Sequence, residues 1–166
     1  DQSNCKECGT GKYNDQTNQT SESVACKECE TGKFNDQTSQ TSESVACKEC
    51  ASGKYSSTTG KTTNCDVCSA GKYSITTGRT NDCDLCGAGK YISDVTTASL
   101  HNHVSDCIEC NAGTYATATG TANCDICSAG KYTAGTGRTS DCDLCGSGKY
   151  ISDTSNANQH DEETDC

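Results

Sequence analysis

The chain has 166 residues, a formal net charge of −10 and seventeen cysteines, but only fourteen residues that are Val, Ile, Leu or Phe. So few aliphatic side chains cannot build an ordinary apolar core, and the cysteine content indicates instead a disulfide scaffold from an oxidising compartment, extracellular or at the cell surface. The acidity and the lack of basic clusters argue against nucleic acid as a partner, and no apolar run is long enough for direct insertion into a membrane.

Residues 1–46 contain two near-identical cysteine-rich repeats of 21 residues, which differ at only three positions. Each repeat begins with C-x-x-C, has a glycine six residues after its first cysteine, and has an aromatic residue two positions after that glycine. The first copy also contains the N-glycosylation sequon Asn18-Gln19-Thr20, whereas Ser39 replaces the asparagine in the second copy. We therefore predict Asn18 as a glycosylation site of a secreted chain.

The same pattern continues through two blocks of three repeats, 47–106 and 107–166. Their repeat lengths are 18, 18 and 24 residues in the first block and 17, 18 and 24 in the second, so a whole block has been duplicated. We number the repeats 1 to 8 from their first cysteines, which are Cys5, Cys26, Cys47, Cys65, Cys83, Cys107, Cys124 and Cys142. Their aromatic residues are Tyr13, Phe34, Tyr55, Tyr73, Tyr91, Tyr115, Tyr132 and Tyr150, and the chain has no others.

Each repeat has the local signals of a small β loop. The G-K-Y core predicts a short strand with the aromatic side chain on one face and the lysine on the other, and a later glycine predicts a turn. No segment has helical periodicity over a useful length. We expect a small disulfide-rich fold, an elongated tandem-repeat rod of short irregular β loops with almost no helix, in which each aromatic residue packs on a disulfide or on the neighbouring repeat.

Two motifs in the 24-residue repeats invite a metal or nuclease interpretation. His101-Asn102-His103 is a candidate metal pair, but we favour an exposed polar loop, because the second block keeps only His160 and so does not share the chemistry. The acidic segment 161–165 could bind calcium weakly, but without fixed ligand spacing a solvated loop is the better interpretation. We expect no metal and no cofactor. The middles of these long polar insertions should need other copies or attached glycans to hold them.

The odd number of cysteines favours a sequential ladder, in which the second cysteine of each C-x-x-C joins the first cysteine of the next repeat. The predicted pairs are Cys8 with Cys26, Cys29 with Cys47, Cys50 with Cys65, Cys68 with Cys83, Cys86 with Cys107, Cys110 with Cys124, Cys127 with Cys142, and Cys145 with Cys166. Cys5 is then unpaired or joined to an upstream repeat. Closure of each C-x-x-C on itself is an alternative, as are zinc sites of four thiolates, but neither accounts as well for the unbroken series. A thioredoxin-like redox role lacks its βαβ context.

The motif C-x-x-C-x-x-G-x-[Y/F], followed by a cysteine some fifteen residues on, resembles the ephrin-receptor-type cysteine-rich repeat. It is also similar to the first loop module of tumour necrosis factor receptor ectodomains. The likeness covers essentially the whole chain, although those families usually have a proline before the glycine and this chain has none. The resemblance implies an elongated, disulfide-linked rod of the kind found in receptors, adhesins and protist surface proteins, including components of algal flagellar hairs.

The sequence therefore predicts a structural protein, a segment of an extracellular filament or cell-surface appendage with identical chains as partners in a homopolymer. The alternative is a ligand-binding or adhesive ectodomain, such as a receptor or a protist surface antigen. An enzyme is not expected, because no nucleophile, base and orienting group recur together. Lysines in the G-K-Y cores and acids within the C-x-x-C motifs form rows of charge, which either serve solubility or register against identical chains.

Overall fold

The computed structural model describes residues 6–166, so Cys5 lies outside the described residues. The chain forms two compact units, Asp1–Cys68 with Ser74–Cys83 and Ser69–Tyr73 with Asp84–Cys166. The first unit contains the disulfides Cys8–Cys26, Cys29–Cys47, Cys50–Cys65 and Cys68–Cys83, and the second contains Cys86–Cys107, Cys110–Cys124, Cys127–Cys142 and Cys145–Cys166. These are the eight pairs of the predicted ladder, and their sulfurs are bonded to one another rather than present as free thiolates.

In repeats 1 to 7 the aromatic residue and the residue before it form a short strand, and the partner of that strand is the pair of residues inside the next C-x-x-C. The first unit pairs β1 (Lys12–Tyr13) with β2 (Lys27–Glu28), β3 (Lys33–Phe34) with β4 (Lys48–Glu49), and β5 (Lys54–Tyr55) with β6 (Asp66–Val67). The second pairs β7 (Lys72–Tyr73) with β8 (Asp84–Leu85), β9 (Lys90–Tyr91) with β10 (Ile108–Glu109), β11 (Thr114–Tyr115) with β12 (Asp125–Ile126), and β13 (Lys131–Tyr132) with β14 (Asp143–Leu144). All seven sheets found among the described residues are antiparallel.

In the part of the chain that the structure describes, helical structure is limited to single turns. The two 21-residue repeats contain α1 (Glu22–Ala25) and α2 (Glu43–Ala46), each preceded by a serine in an extended conformation. The two 24-residue repeats contain the 3₁₀ turns Ala98–Leu100, Val104–Asp106, Ala157–Gln159 and Glu163–Asp165. The predicted small disulfide-rich fold with almost no helix is therefore confirmed. Within residues 6–166 no helix has the length and apolar character needed to cross a bilayer.

Successive repeats are joined by backbone hydrogen bonds as well as by sulfur. The N–H of the glycine in each of the first seven G-K-Y or equivalent cores donates to the carbonyl of the residue after the next aromatic, with an N···O distance of 2.8 Å in every case. The carbonyl of the same glycine accepts from the second cysteine of the next repeat at 2.8–3.0 Å. These contacts use main-chain atoms, so they recur unchanged while the side chains vary.

In repeats 2 to 7 the residue after the aromatic forms the interior together with the second cysteine, and in repeat 8 that residue, Ile151, is also buried; the sequence interpretation missed this position. Its exposed fraction is 1% at Asn35, 0% at Ser56 and Ser74, 3% at Ile92, 2% at Ala116 and Thr133, and 7% at Ile151. Several of these residues are small and polar, so hydrophobicity does not identify the position. The position is buried because its main-chain groups form hydrogen bonds with the neighbouring repeat.

The aromatic residues pack on disulfides where a following repeat covers them. Tyr13 is buried with the Cys29–Cys47 disulfide and Ala46, and Tyr73 packs against a cluster that contains Cys86, Cys107 and Ile92. The predicted packing is confirmed for these two tyrosines. It is wrong for Tyr150, which is 78% exposed, because within residues 6–166 no strand pairs with residues 149 and 150.

Candidate functional sites

The rows of charge are engaged within the chain. In the sheets Lys12 lies opposite Glu28 and Lys33 lies opposite Glu49. Glutamates at the third position of C-x-x-C also accept hydrogen bonds from hydroxyl groups of the following repeat. The pairs are Glu28 with Thr59 at 2.7 Å, Glu49 with Thr77 at 2.8 Å, Glu109 with Thr136 at 3.2 Å, and Glu7 with Ser39. These contacts within the chain are enough to explain the rows of lysines and acids, without lateral contacts to identical chains.

Local ion pairs add to this network in repeats 1 and 2. Lys27 binds Asp15 with an N···O distance of 2.8 Å, and its ammonium lies 6.0 Å from the centre of the Tyr13 ring. Lys33 binds Glu43 at 2.6 Å, and this hydrogen bond lowers the pKa of the Glu43 carboxyl below its usual range. Because these pairs are partly exposed, each contributes modestly to stability.

Two histidines form the most deeply buried polar sites. His101 and His160 are both 0% exposed. The Nδ1 atom of His101 lies 2.6 Å from the Lys72 carbonyl oxygen, and that of His160 lies 2.7 Å from the Lys131 carbonyl oxygen. Because a carbonyl oxygen only accepts, each Nδ1 carries the hydrogen and donates it. Each histidine thereby ties a long insertion to the lysine–tyrosine strand of the preceding repeat.

The second nitrogen of each ring faces a carboxylate. Nε2 of His101 is 3.4 Å from Asp94, and Nε2 of His160 is 3.6 Å from Asp153, with no hydrogen bond to either nitrogen among the described residues. Backbone N–H groups of Thr97 and Thr96 lower the pKa of Asp94, so this carboxylate is fixed by its own loop. Asp153 is held in the same way by residues 155 and 156, which also lower its pKa.

These sites correct two sequence-based interpretations. His101 does not lie in an exposed loop, and the two blocks do share the feature, since His101 and His160 each stand eighteen residues after the first cysteine of their repeat. That common offset was the signal that could have identified them. The expectation that other copies or glycans must hold the insertions is also wrong, because a buried histidine and two 3₁₀ turns fix each insertion from within.

Asn35 makes the equivalent contact in repeat 2. Its Nδ2 donates to the carbonyl of Lys12 at 2.9 Å, and its Oδ1 accepts the N–H of Gln37. Asparagine and histidine thus perform one task, which is to donate a hydrogen bond to the main-chain carbonyl of a lysine in the preceding repeat. This shared geometry indicates a structural clasp between repeats.

Replacing His101 with alanine should weaken the repeat-5 insertion by about 2–3 kcal/mol, because a buried ring is lost and the Lys72 carbonyl loses its donor. His101→Asn should retain part of that stability, since an amide can donate as Asn35 does. Amide hydrogen exchange across residues 93–106 measures the effect. The matched control is His103→Ala at an exposed position, for which we expect a loss of about 1 kcal/mol or less. Equal losses for His101→Ala and His103→Ala would rule out the clasp.

The other residues that the sequence offered as metal ligands include His103, Glu162 and Asp165, whose side chains cap 3₁₀ turns instead. The side chain of His103 accepts the Ser105 N–H and so caps the 3₁₀ turn Val104–Asp106. In the acidic segment Glu162 and Asp165 form a reciprocal capping box, and burial next to Asp165 raises the pKa of Asp161. Among the described residues there is no group of three or more His, Cys, Asp or Glu side chains placed to hold a metal ion.

Asn18 occupies an exposed turn position that serine fills in repeat 2 and glycine fills in repeats 3 and 4. Its φ is 58°, and the equivalent residues are Ser39 with φ 60°, Gly60 with φ 62° and Gly78 with φ 66°. Asparagine tolerates this left-handed conformation better than most residues, so the turn alone is a sufficient reason for it. Glycosylation of Asn18 stays a prediction, and the side chain is accessible for it.

No protein-family model matches the chain, and no curated protein is significantly similar to it. The repeat geometry and its buried clasps are therefore the basis for a functional assignment.

Proposed function

We propose that this chain is a non-enzymatic structural segment of an extracellular filament or cell-surface appendage, built from modules of the ephrin-receptor and tumour necrosis factor receptor type. One observation carries the proposal: each repeat binds the next through main-chain groups of a glycine and a cysteine, at distances that hardly change along the chain. Such a contact can be repeated without limit and without a new side-chain design. The eight disulfides are typical of secreted and cell-surface proteins and fit this location.

A ligand-binding or adhesive ectodomain is the second candidate. The insertion of repeat 5 exposes three aliphatic side chains, Val95 by 60%, Leu100 by 49% and Val104 by 51%. The equivalent insertion of repeat 8 contains no valine, leucine or isoleucine, so of the two long insertions only that of repeat 5 exposes large aliphatic side chains. An apolar loop on an otherwise acidic chain favours contact with a foreign protein.

The two candidates differ in whether the pure chain associates with itself. For a filament segment we expect concentration-dependent, elongated assemblies of the secreted chain under non-reducing conditions, measured by light scattering and electron microscopy. A chain that remains an ordered monomer at every concentration supports the ectodomain. Val95→Ser combined with Val104→Ser should leave filament assembly unchanged, and loss of assembly in this variant would place the contact in the repeat-5 loop.

A further inference from the structure

The disulfides create a covalent route along the chain that is much shorter than the polypeptide itself. Each disulfide joins the second cysteine of one repeat to the first cysteine of the next, and only two residues then separate that first cysteine from the second cysteine of its own repeat. From Cys8 to Cys166 the route therefore alternates eight disulfides with seven linking dipeptides. All other residues between these two cysteines lie in loops that a disulfide closes.

The seven linking dipeptides are also the strands β2, β4, β6, β8, β10, β12 and β14. Each of them pairs with the strand of the preceding repeat. The cysteine that follows each dipeptide donates its N–H to a glycine carbonyl of the preceding repeat, with an N···O distance of 2.8–3.0 Å. Main-chain hydrogen bonds therefore hold the one part of the backbone that no disulfide bypasses.

The tips of the closed loops lack this protection. Ile75, at the tip of repeat 4, is 61% exposed, and no backbone hydrogen bond joins its N–H or C=O to another described residue. Ile108, in the linking dipeptide β10, is 53% exposed but pairs with Tyr91. The two isoleucines thus have similar side-chain exposure and differ in whether their backbone is paired.

We infer that tension along this segment passes through the disulfides and the linking dipeptides, so that the chain stays continuous after any of its closed loops is cut. Hydrolysis of a peptide bond in a loop adds one water and creates a carboxylate and an amine, but both new ends remain attached to the two bonded cysteines of that loop. Proteases act on backbone that opens locally, and exposed loop tips are their preferred sites. Cleavage is therefore directed to the places where the chain tolerates it.

The same route limits how far the segment can be stretched. With Cα–Cα distances of 5.4–5.7 Å across the disulfides and at most about 3.6 Å for each residue step, the distance from Cys8 to Cys166 cannot exceed about 120 Å. Without disulfides the same residues would reach about 570 Å. This inference rests on the proposed function, for which it supplies the element that carries tension in a filament.

Single methionines test the route, because the sequence has none and cyanogen bromide cleaves the peptide bond after methionine in the unfolded, disulfide-bonded chain. Ile75→Met places the cut inside the loop closed by the Cys68–Cys83 disulfide. Ile108→Met is the matched control, since it places the cut in a linking dipeptide at a similarly exposed position. Free thiols are alkylated first, so that no disulfide exchanges.

On a non-reducing denaturing gel the cleaved Ile75→Met chain should run as one species and separate into two fragments only after reduction. The cleaved Ile108→Met chain should separate without reductant. The opposite result for the two variants would mean that each C-x-x-C closes on itself, and the route through the ladder would be wrong.

Limited digestion of the folded parent chain with a broad-specificity protease tests where cuts fall. The first cuts, located by mass spectrometry, should lie in loop tips such as 75–77, and the non-reduced chain should gain the mass of one water at its first cut. A first cut inside a linking dipeptide, β8 or β10 for example, would show that strand pairing does not protect the route.

Optical tweezers test the tension directly, with the full chain held by tags at its two ends. The protease-cut chain should bear the same load as the intact chain, and both should stop extending when the distance from Cys8 to Cys166 reaches about 120 Å. Rupture of the cut chain, or extension several-fold beyond this limit without reductant, would overturn the inference. Neither measurement requires association, so a chain that passes both but stays monomeric in light scattering refutes the filament alone.

Discussion

Replacing Gly71 with alanine should destabilise repeats 4 to 6 by about 3–5 kcal/mol. A methyl carbon there would lie 2.1 Å from the carbonyl oxygen of Gly120 and 2.3 Å from its carbonyl carbon, so the backbone of the next-but-one repeat must move. Gly71 also has a φ of 73°, which costs an alanine about 1–2 kcal/mol before any clash. The added cost of displacing packed backbone is roughly another 2 kcal/mol or more.

Gly130→Ala provides the control for this prediction. Gly130 has the same φ of 73° and the same place in its repeat, but no described atom lies within 4 Å of the added carbon. Its substitution should therefore cost only the conformational part, about 1–2 kcal/mol. Amide exchange of Gly71, Cys86 and Gly120, measured on the dissociated monomer, reports the local opening free energy. Equal losses for the two variants would show that the close approach has no energetic role.

The sequence alone favoured the correct covalent framework, because the odd number of cysteines and the unbroken series of equivalent motifs fit a sequential ladder better than closed C-x-x-C rings or zinc sites. Every described pair joins a C-x-x-C to the next first cysteine, and the cores of repeats 1 to 7 form strands as expected, whereas that of repeat 8 does not. The glycine six residues after the first cysteine was also recognisable as part of the pattern. These features depend on local spacing, which a repeated sequence displays eight times.

The partners of those local features could not be predicted, because they lie in other repeats. Nothing in the spacing shows that the strand partner is the inside of the next C-x-x-C, or that Gly71 faces Gly120 of the next-but-one repeat. Burial of the position after the aromatic was missed for the same reason: Ser56 and Ser74 are 0% exposed because of their main-chain bonds, not because of hydrophobicity. His101 looked like an exposed polar residue until the Lys72 carbonyl provided its partner.

The chain replaces an apolar core with two kinds of connection that operate together. Disulfides restrict the unfolded chain, and main-chain bonds around the second cysteine and the glycine fix how one repeat lies on the next. The second cysteines at 29, 50, 68, 86, 110 and 127 are all 0% exposed, so each sulfur also fills interior space. The stability lost when a disulfide is removed should therefore have two parts: an entropic part set by the length of the closed loop, and a packing part set by the burial of the sulfurs.

A comparison of two disulfides with equal loop length distinguishes the entropic contribution from the packing contribution. Cys86–Cys107 and Cys145–Cys166 both span 21 residues, so the chain-entropy estimate predicts the same loss of about 3 kcal/mol for either. The first pair is 0% and 4% exposed and packs with Ile92 and Tyr73, whereas the second is partly exposed. Replacing both cysteines by alanine should then cost about 4–5 kcal/mol at the inner pair, because a cavity is added, and about 3 kcal/mol at the outer pair.

Hydrogen exchange on the two double variants, Cys86→Ala with Cys107→Ala and Cys145→Ala with Cys166→Ala, gives both local free energies in the dissociated monomer. At the inner pair we expect protection to be lost at Gly71 and Gly89, whose main-chain bonds flank the missing sulfurs. At the outer pair the loss should be confined to repeat 8 and the Gly130 bonds to it. The same loss at both pairs would mean that loop closure alone stabilises the repeats, and that the buried sulfurs and the tyrosine packed on them contribute nothing measurable.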